Sequence, residues 1–287
     1  MTRIAHVNGR YLRHANAAVS IEDRGFQFAD AVYEVCEIRD GELVDPTRHL
    51  DRLERSLREL RIRMPMSRAA LLVVLKETAR RNRVRDGSVY LQISRGQAPR
   101  DHAFPDPQLP PTVVVTAKPH DRAKGEAQAA KGIAVVTVPD NRWERVDIKS
   151  VGLLPNCLAK QAAVEAGAKE AWFVDADGFV TEGSSTNAWI VTRDGHLVTR
   201  PAEFGILRGI TRTVLLEVAA RLGLTVEERA FTPQEATEAA EAFITAATTL
   251  VMPVVSLDGR AIGDGRPGPT ALALRQAFHA STERVPL

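Results

Sequence analysis

Asp140-Asn141-Arg142-Trp143-Glu144-Arg145-Val146-Asp147-Ile148-Lys149-Ser150 lies near the middle of a 287-residue chain and joins two segments of opposite character. Before it, Gly132-Ile133-Ala134-Val135-Val136-Thr137-Val138 is rich in β-branched residues and stops at Pro139, which predicts a strand. After it, the pattern predicts a helix that begins after Pro155, is capped by Asn156 and carries Leu158, Lys160, Ala162, Ala163 and Val164. Gly167 ends it, as a glycine just past the last turn commonly does. Lys149 therefore lies in a connection between a strand and a helix, where a scaffold presents a reactive group. A lysine in such a place is by itself an ordinary solvated charge.

A second stretch changes that reading. Thr181-Glu182-Gly183-Ser184-Ser185-Thr186-Asn187 sets one carboxylate before a glycine and three consecutive hydroxyls, between β-rich runs at Ala171 to Val174 and Ala188 to Thr192. Alone it reads as a polar turn. With a lysine it suggests pyridoxal phosphate: the lysine forms a Schiff base, and an acid paired with the pyridine nitrogen keeps the ring electron-poor.

Composition bounds the alternatives. Hydrophobic content of 44% and charged content of 26% are globular values, so the chain can bury one large core or two ordinary ones. A net charge of +2 gives no general attraction to polyanions. Arginines crowd the stretch from Arg48 to Arg85, but no aromatic is interleaved and Asp51, Glu54, Glu59 and Glu77 break the field, so solvated helix faces are expected and no nucleic acid. The two cysteines, Cys36 and Cys157, sit in apolar contexts, which predicts a reducing, cytoplasmic setting without disulfides. Met1-Thr2-Arg3-Ile4-Ala5-His6 lacks the apolar core of a signal peptide, and no run approaches a membrane span. No metal-ligand spacing, repeat or Gly-rich dinucleotide fingerprint is found.

In chain order, Asn8-Gly9 predicts a hairpin between Ile4–Val7 and Arg10–Arg13, and Val32 to Arg39 a strand returning through Leu43-Val44. Polar and apolar residues alternate along that strand, so one side is expected to line a polar cavity. Helices are predicted from caps at Thr47, with Leu50, Leu53, Leu57 and Leu60 on one stripe, and at Ser67, with Leu71, Leu72, Leu75 and Ala79 inward. A proline-stiffened connection from Arg95 to Pro111 carries Arg100-Asp101-His102, which can grip a carboxylate. Lys118 to Lys131 reads as a linker. Gly205-Ile206-Leu207-Arg208-Gly209-Ile210-Thr211-Arg212 opens a helix ending at Gly223, with an anion site in its free N–H groups. Thr232, with Pro233 in the first turn and Glu235 reaching back, caps another. Strands outnumber helices and cluster as hairpins, so each half is α+β and not doubly wound.

Taken together, these stretches resemble the fold-type IV (class IV) pyridoxal-phosphate aminotransferases, and most closely their D-amino acid (D-alanine) branch. The resemblance rests on Glu22 to Phe28, Val32 to Val35, His49 to Leu53, Pro99 to Pro105, Asp147 to Ser150, Thr181 to Ser185 and Leu207 to Arg212, seven motifs in order over nearly the whole chain. It implies a smaller N-terminal α/β domain over residues 1–118, a linker at 119–131 and a larger C-terminal pseudo-barrel domain over 132–287. It also implies that Lys149 carries the Schiff base and Glu182 pairs with the pyridine nitrogen. Arg52 and the backbone of Ile210 and Thr211 would hold the phosphate, Leu207 would pack against the ring, and Ser184 and Ser185 would line the cavity. Where the family commonly has a hydroxyl this chain has Ala247, so Thr248 would supply it. Tyr33, with Arg100 and His102 from the partner subunit, would trap a substrate carboxylate, which implies a homodimer with its site at the interface.

The expected activity is transfer of an amino group between a D-amino acid and a 2-oxo acid, 2-oxoglutarate or pyruvate, by a ping-pong route. A branched-chain L-amino acid aminotransferase on the same fold would not require Arg100 and His102. The same arm separates the expectation from an (R)-amine transaminase or a lyase of the aminodeoxychorismate type. A pyridoxal-phosphate-binding protein without turnover would leave the carboxylate trap without a use.

Overall fold

The computed structural model describes residues 3–203 and 205–287; Met1, Thr2 and Phe204 lie outside the described residues. The chain divides into two compact units. One runs to Asp121 and takes in Ile148–Gly152 and Glu283–Leu287; the other comprises Arg122–Asp147 and Leu153–Thr282. The stretch expected as a linker holds a strand end and a helix, because its alanines are strong helix formers.

In the first unit β1 (Ile4–Val7) and β2 (Arg10–Arg13) form the expected hairpin, with Asn8 and Gly9 at φ 46° and 83°. Both lie in the left-handed region that a type I′ turn requires. A short helix α1 (Arg24–Phe28) leads through β3 (Ala31–Arg39) and β4 (Glu42–Val44) to α2 (Pro46–Glu59) and α3 (Arg68–Arg81). Strands β5 (Gly87–Ser94) and β6 (Thr112–Pro119) follow. With the C-terminal strand Arg284–Pro286 they make a seven-stranded antiparallel sheet, ordered C-terminal strand, β4, β3, β5, β6, β1, β2. Leu50, Leu53 and Leu57 of α2 and Leu71, Leu75 and Ala79 of α3 bury against Val32, Cys36, Ile38, Val89, Leu91, Val113 and Val115. Each buried leucine contributes about 2 kcal/mol of transfer free energy.

Ser67 caps α3 as expected, accepting from Ala70 N at 3.3 Å. Thr47 does not cap α2. Asp45 precedes the helix, Pro46 takes its first position, and Thr47 N and Oγ1 donate to Glu283 at 3.0 and 2.9 Å.

The second unit begins with α4 (Arg122–Ala129), β7 (Ile133–Pro139), α5 (Leu154–Glu165), β8 (Glu170–Val174), β9 (Val180–Gly183) and β10 (Asn187–Val191). It continues with β11 (Leu197–Thr199), α6 (Ile210–Arg221), β12 (Val226–Glu228), α7 (Pro233–Glu238) and β13 (Glu241–Ala246). β14 (Leu250–Leu257), β15 (Arg260–Ala261) and α8 (Pro269–Phe278) complete it. Its nine-stranded sheet is ordered β12-β11-β10-β13-β14-β7-β8-β9, with β15 on β14. The hairpin expectation is only half right here. The β11/β12, β14/β7 and β7/β8 pairs are parallel, because long connections such as α5 return the chain in the same direction. Both faces are buried: Trp189 and Phe243 stack at 5.5 Å under α6 and α8, while Ala188, Ile190, Ala242 and Ile244 point the other way.

Asn156 is not the cap of α5. The helix starts at Leu154 with Pro155 in its first turn, and Asn156 Nδ2 donates to Ser184 O at 2.8 Å. Thr232 does cap α7, but Glu235 turns to Arg229 at 2.5 Å instead of reaching back. Both cysteines are free, Cys36 buried and Cys157 exposed, so the apolar context expected of Cys157 is a surface one.

Candidate active site

The seat of Lys149 is built by the backbone. Ile148 anchors the segment in the first core, and Lys149 N donates to Ser56 Oγ at 3.3 Å. Tyr33 N donates to Lys149 O and Val151 N to Ala31 O, each at 3.0 Å, and Ser150 bridges Val32. Ile148–Gly152 is thus stitched along the start of β3 before its side chains are considered. Lys149 Nζ lies 4.3 Å from the centroid of the Tyr33 ring. That ring stacks on Tyr90 at 5.7 Å, and Tyr90 Oη donates to Gln92 Oε1 at 2.7 Å. Burial, with the neighbouring Tyr33, pushes the Tyr90 phenol up to about 12, so it stays a neutral donor.

Arg52 projects from α2 toward β3. Its Nε and Nη2 donate to the two oxygens of Glu34 at 2.8 Å each, and His49 Nδ1 lies 2.7 Å from Glu34 Oε2. Glu34 falls on the core-facing side of β3 between Val32 and Cys36, where it forms a buried charge network, while Tyr33 lies on the opposite face. Burial would raise the Glu34 carboxyl, but the charge and hydrogen bonds of Arg52, with those of His49, outweigh it and bring it to about 2. A depressed carboxylate contributes stability that is complete above its unfolded value of about 4.5 and is lost as pH falls toward 2. We therefore expect roughly 3 kcal/mol of acid sensitivity from Glu34. Melting temperature measured from pH 6 to pH 2.5 checks it: in Glu34→Gln this acid-dependent loss should shrink.

The connection carrying Arg100 and His102 is strapped from below. Arg24, buried in α1, donates through Nη1 to Asp101 O at 2.5 Å and Ala103 O at 3.3 Å, and through Nη2 to His102 O at 3.4 Å. Asp30 fastens Arg24 Nε at 2.8 Å and Arg95 Nε at 2.6 Å, and the Arg95 guanidinium lies 3.7 Å from the centroid of the Phe104 ring. Arg100 and His102 are exposed and share one platform, the Phe28 ring, at 4.9 and 5.4 Å.

In the second unit, Glu182 stands on β9 with its carboxylate buried. It accepts from Arg142 Nη1 through one oxygen, and from Asn187 Nδ2 at 3.0 Å and Leu207 N at 3.1 Å through the other. Asn187 Nδ2 also donates to Leu207 O at 2.9 Å, tying the Leu207 loop to the carboxylate. The hydroxyls of Ser184, Ser185 and Thr186 all turn to Glu170, a buried acid of β8 that also accepts from Ser184 N at 3.2 Å and Ala171 N at 2.8 Å. The seryl hydroxyls expected to line a cavity are thus engaged in holding the loop.

Ile210 and Thr211 open α6, whose N-cap, Gly209, gives no side-chain hydrogen bond to the first turn. A Cβ at Gly209 would overlap Asn187 Oδ1, so only glycine lets the helix start this close to the Glu182 loop. Thr248 is exposed in the turn between β13 and β14, and the next residue, Thr249, has a buried Oγ1 without a hydrogen-bond partner. An uncapped helix start and an orphaned hydroxyl suit a phosphate, and a carboxylate fixed by three donors suits a pyridine nitrogen. The residues present fit pyridoxal phosphate.

Residues 31–257 match the Amino-transferase class IV family. The chain belongs to the class IV aminotransferases. The D-alanine aminotransferase of Bacillus licheniformis is 43% identical over 274 residues, covering 96% of this chain and 95% of that one. The D-alanine aminotransferase of Staphylococcus haemolyticus is 37% identical over 283 residues, 99% of each chain. Among solved structures, the T.th. branched-chain amino acid aminotransferase with pyridoxamine 5'-phosphate superposes with a TM-score of 0.88 at 29% identity, covering 97% of this chain and 93% of that one. The branched-chain amino acid aminotransferase of Escherichia coli gives 0.90 at 24% identity, covering 99% and 97%, a likeness of fold. These comparisons bear out the fold class, a two-part fold-type IV architecture.

Arg24, Glu34, His49, Arg142, Glu170 and Asn187 were not singled out by sequence reading. All but Glu170 lie inside stretches quoted above, yet only their partners in the fold reveal what they hold.

Proposed function

We propose that this class IV enzyme transfers the amino group of a D-amino acid of the D-alanine type to a 2-oxo acid, 2-oxoglutarate or pyruvate, using pyridoxal 5'-phosphate. One observation carries the choice of substrate: full-length similarity at 43% and 37% identity to D-alanine aminotransferases, against 29% for a branched-chain neighbour. The cofactor supplies an aldehyde that links to amines and a ring that accepts electrons. Lys149 Nζ is its anchor and the base that takes the Cα proton and later returns one. Glu182 holds the proton on the ring nitrogen. Arg52, oriented by Glu34, grips the phosphate with the N–H groups of Ile210 and Thr211 and the Thr248 hydroxyl. Leu207 packs on the ring, and Ser184 and Ser185 shape the loop beside it.

Tyr33, Arg100 and His102 bind the substrate's α-carboxylate, and that grip decides which Cα substituent faces the base. Arg100 and His102 serve the partner's site in a homodimer acting on small molecules in the cytoplasm. No helix among the described residues is long and apolar enough to cross a membrane.

The test is a donor comparison. D-alanine should change the absorbance of the bound cofactor and turn over with 2-oxoglutarate, and L-leucine should not; the reverse preference would sink the D-amino acid reading. Arg100→Ala should lower kcat/KM for D-alanine and for 2-oxoglutarate by about 10- to 150-fold, the loss of a charge-assisted carboxylate contact. A carboxylate-free donor such as (R)-1-phenylethylamine should lose far less. Equal losses on both donors would mean that Arg100 reads no carboxylate.

A further inference from the structure

Arg142 is shared between two acids. Its Nε and Nη2 take the two oxygens of Asp140 at 2.9 and 2.7 Å, and its Nη1 donates to Glu182. Nη2 also reaches Thr181 Oγ1 at 3.2 Å and Gly205 O at 3.3 Å, and Thr181 Oγ1 returns to Asp140 Oδ2 at 2.8 Å. The guanidinium lies 4.4 Å from the centroid of the Phe173 ring, and its side chain is 5% exposed. A surface ion pair needs no such housing; this cation is built in.

We propose that Arg142 is a positioning residue that sets how strongly Glu182 holds a proton, with Asp140 as its counterweight. The proposal rests on the reading that Glu182 pairs with the cofactor's ring nitrogen. Two carboxylates and one guanidinium carry a single net negative charge, which one protonated ring nitrogen neutralises. A guanidinium on the outer oxygen makes Glu182 a poor base, so it accepts the N–H without taking the proton. Asp140 occupies the other edge of the guanidinium and keeps it from cancelling Glu182 altogether. Without Arg142, two carboxylates would share a buried site stripped of that cation, and like charges raise each other's proton affinity. Glu182 would then be protonated, and a protonated acid cannot face a protonated nitrogen.

The experiment compares Arg142→Met, Arg142→Lys and the double variant Arg142→Met/Asp140→Asn with the unaltered protein. Pyridoxal phosphate binding to the apoprotein, the melting temperature of the apoprotein and steady-state turnover of D-alanine are measured. Arg142→Met should weaken cofactor binding and lower kcat by about 10- to 100-fold, the usual effect of removing a partner behind a directly acting group. KM for D-alanine should hardly move. Adding Asp140→Asn should recover most of the loss, because it removes the competing charge. Arg142→Lys, a cation without the fork, should fall between. A double variant no better than Arg142→Met overturns the proposal, as does an Arg142→Met that behaves like the parent. Losses that track apoprotein melting temperature across the series would make Arg142 merely structural. If Arg142→Met does not fold, Arg142→Lys decides: a lower kcat at constant KM supports the proposal, and a shift in KM alone overturns it. A parent protein that binds no pyridoxal phosphate would instead sink the cofactor reading itself.

Discussion

Lys149→Ala is expected to fold normally and to lose about 10⁴-fold or more of its transamination activity. The fold should survive because the segment is held by backbone groups: Lys149 N on Ser56, Lys149 O from Tyr33 N, and Val151 N on Ala31 O. What disappears is the side chain alone, an amine over the Tyr33 face. Proton transfer by a positioned base is commonly worth about 10²- to 10⁴-fold, and here the same nitrogen is also the covalent anchor. Borohydride treatment followed by peptide mapping should fix pyridoxal to Lys149 in the parent protein and to no residue in the variant. Labelling that persists at another lysine, with turnover intact, would move the anchor elsewhere.

Glu182→Gln is expected to lower kcat by about 10²- to 10³-fold, the scale on which preorganised electrostatic groups act. An amide cannot keep a ring nitrogen protonated. The structure adds a second penalty. Arg142 Nη1 donates to one carboxylate oxygen, and Asn187 Nδ2 with Leu207 N to the other, so an amide NH₂ must face a donor whichever way it turns. The Leu207 loop should loosen as a result, and hydrogen exchange at Leu207 should rise. A variant with unchanged kcat, under conditions where Cα proton removal limits turnover, would remove Glu182 from the chemistry.

The features legible in the sequence are those whose cause is local. Asn8-Gly9 specifies its turn, Ser67 and Thr232 cap helices through bonds three residues long, and Gly167 and Gly223 end helices at φ 74° and 70°. Thr47 and Asn156 carry the same chemistry as those caps, yet Glu283 and Ser184 claim their side chains from distant parts of the sequence. Competition of that kind leaves no mark on neighbouring residues. The candidate site shows the same division. Lys149 and Glu182 stand out because their motifs are compact, whereas Arg142, Glu170 and Arg24 act through partners that only folding brings near. The parallel pairs of the second sheet were missed for a related reason: a buried strand reads the same whichever way its neighbour runs.

The strand Arg284–Pro286 closes one edge of the first sheet by pairing with β4, and Glu283 holds the start of α2. In sequence it follows the whole second unit. During synthesis the first sheet must therefore wait, with β4 presenting unpaired N–H and C=O groups, until the last of the second unit has left the ribosome. An exposed edge is a template for another chain, so for this protein the hazardous interval is set by the elongation time of residues 122–282. Slow translation across that stretch would be expected to cost yield through aggregation, while the finished enzyme keeps its stability.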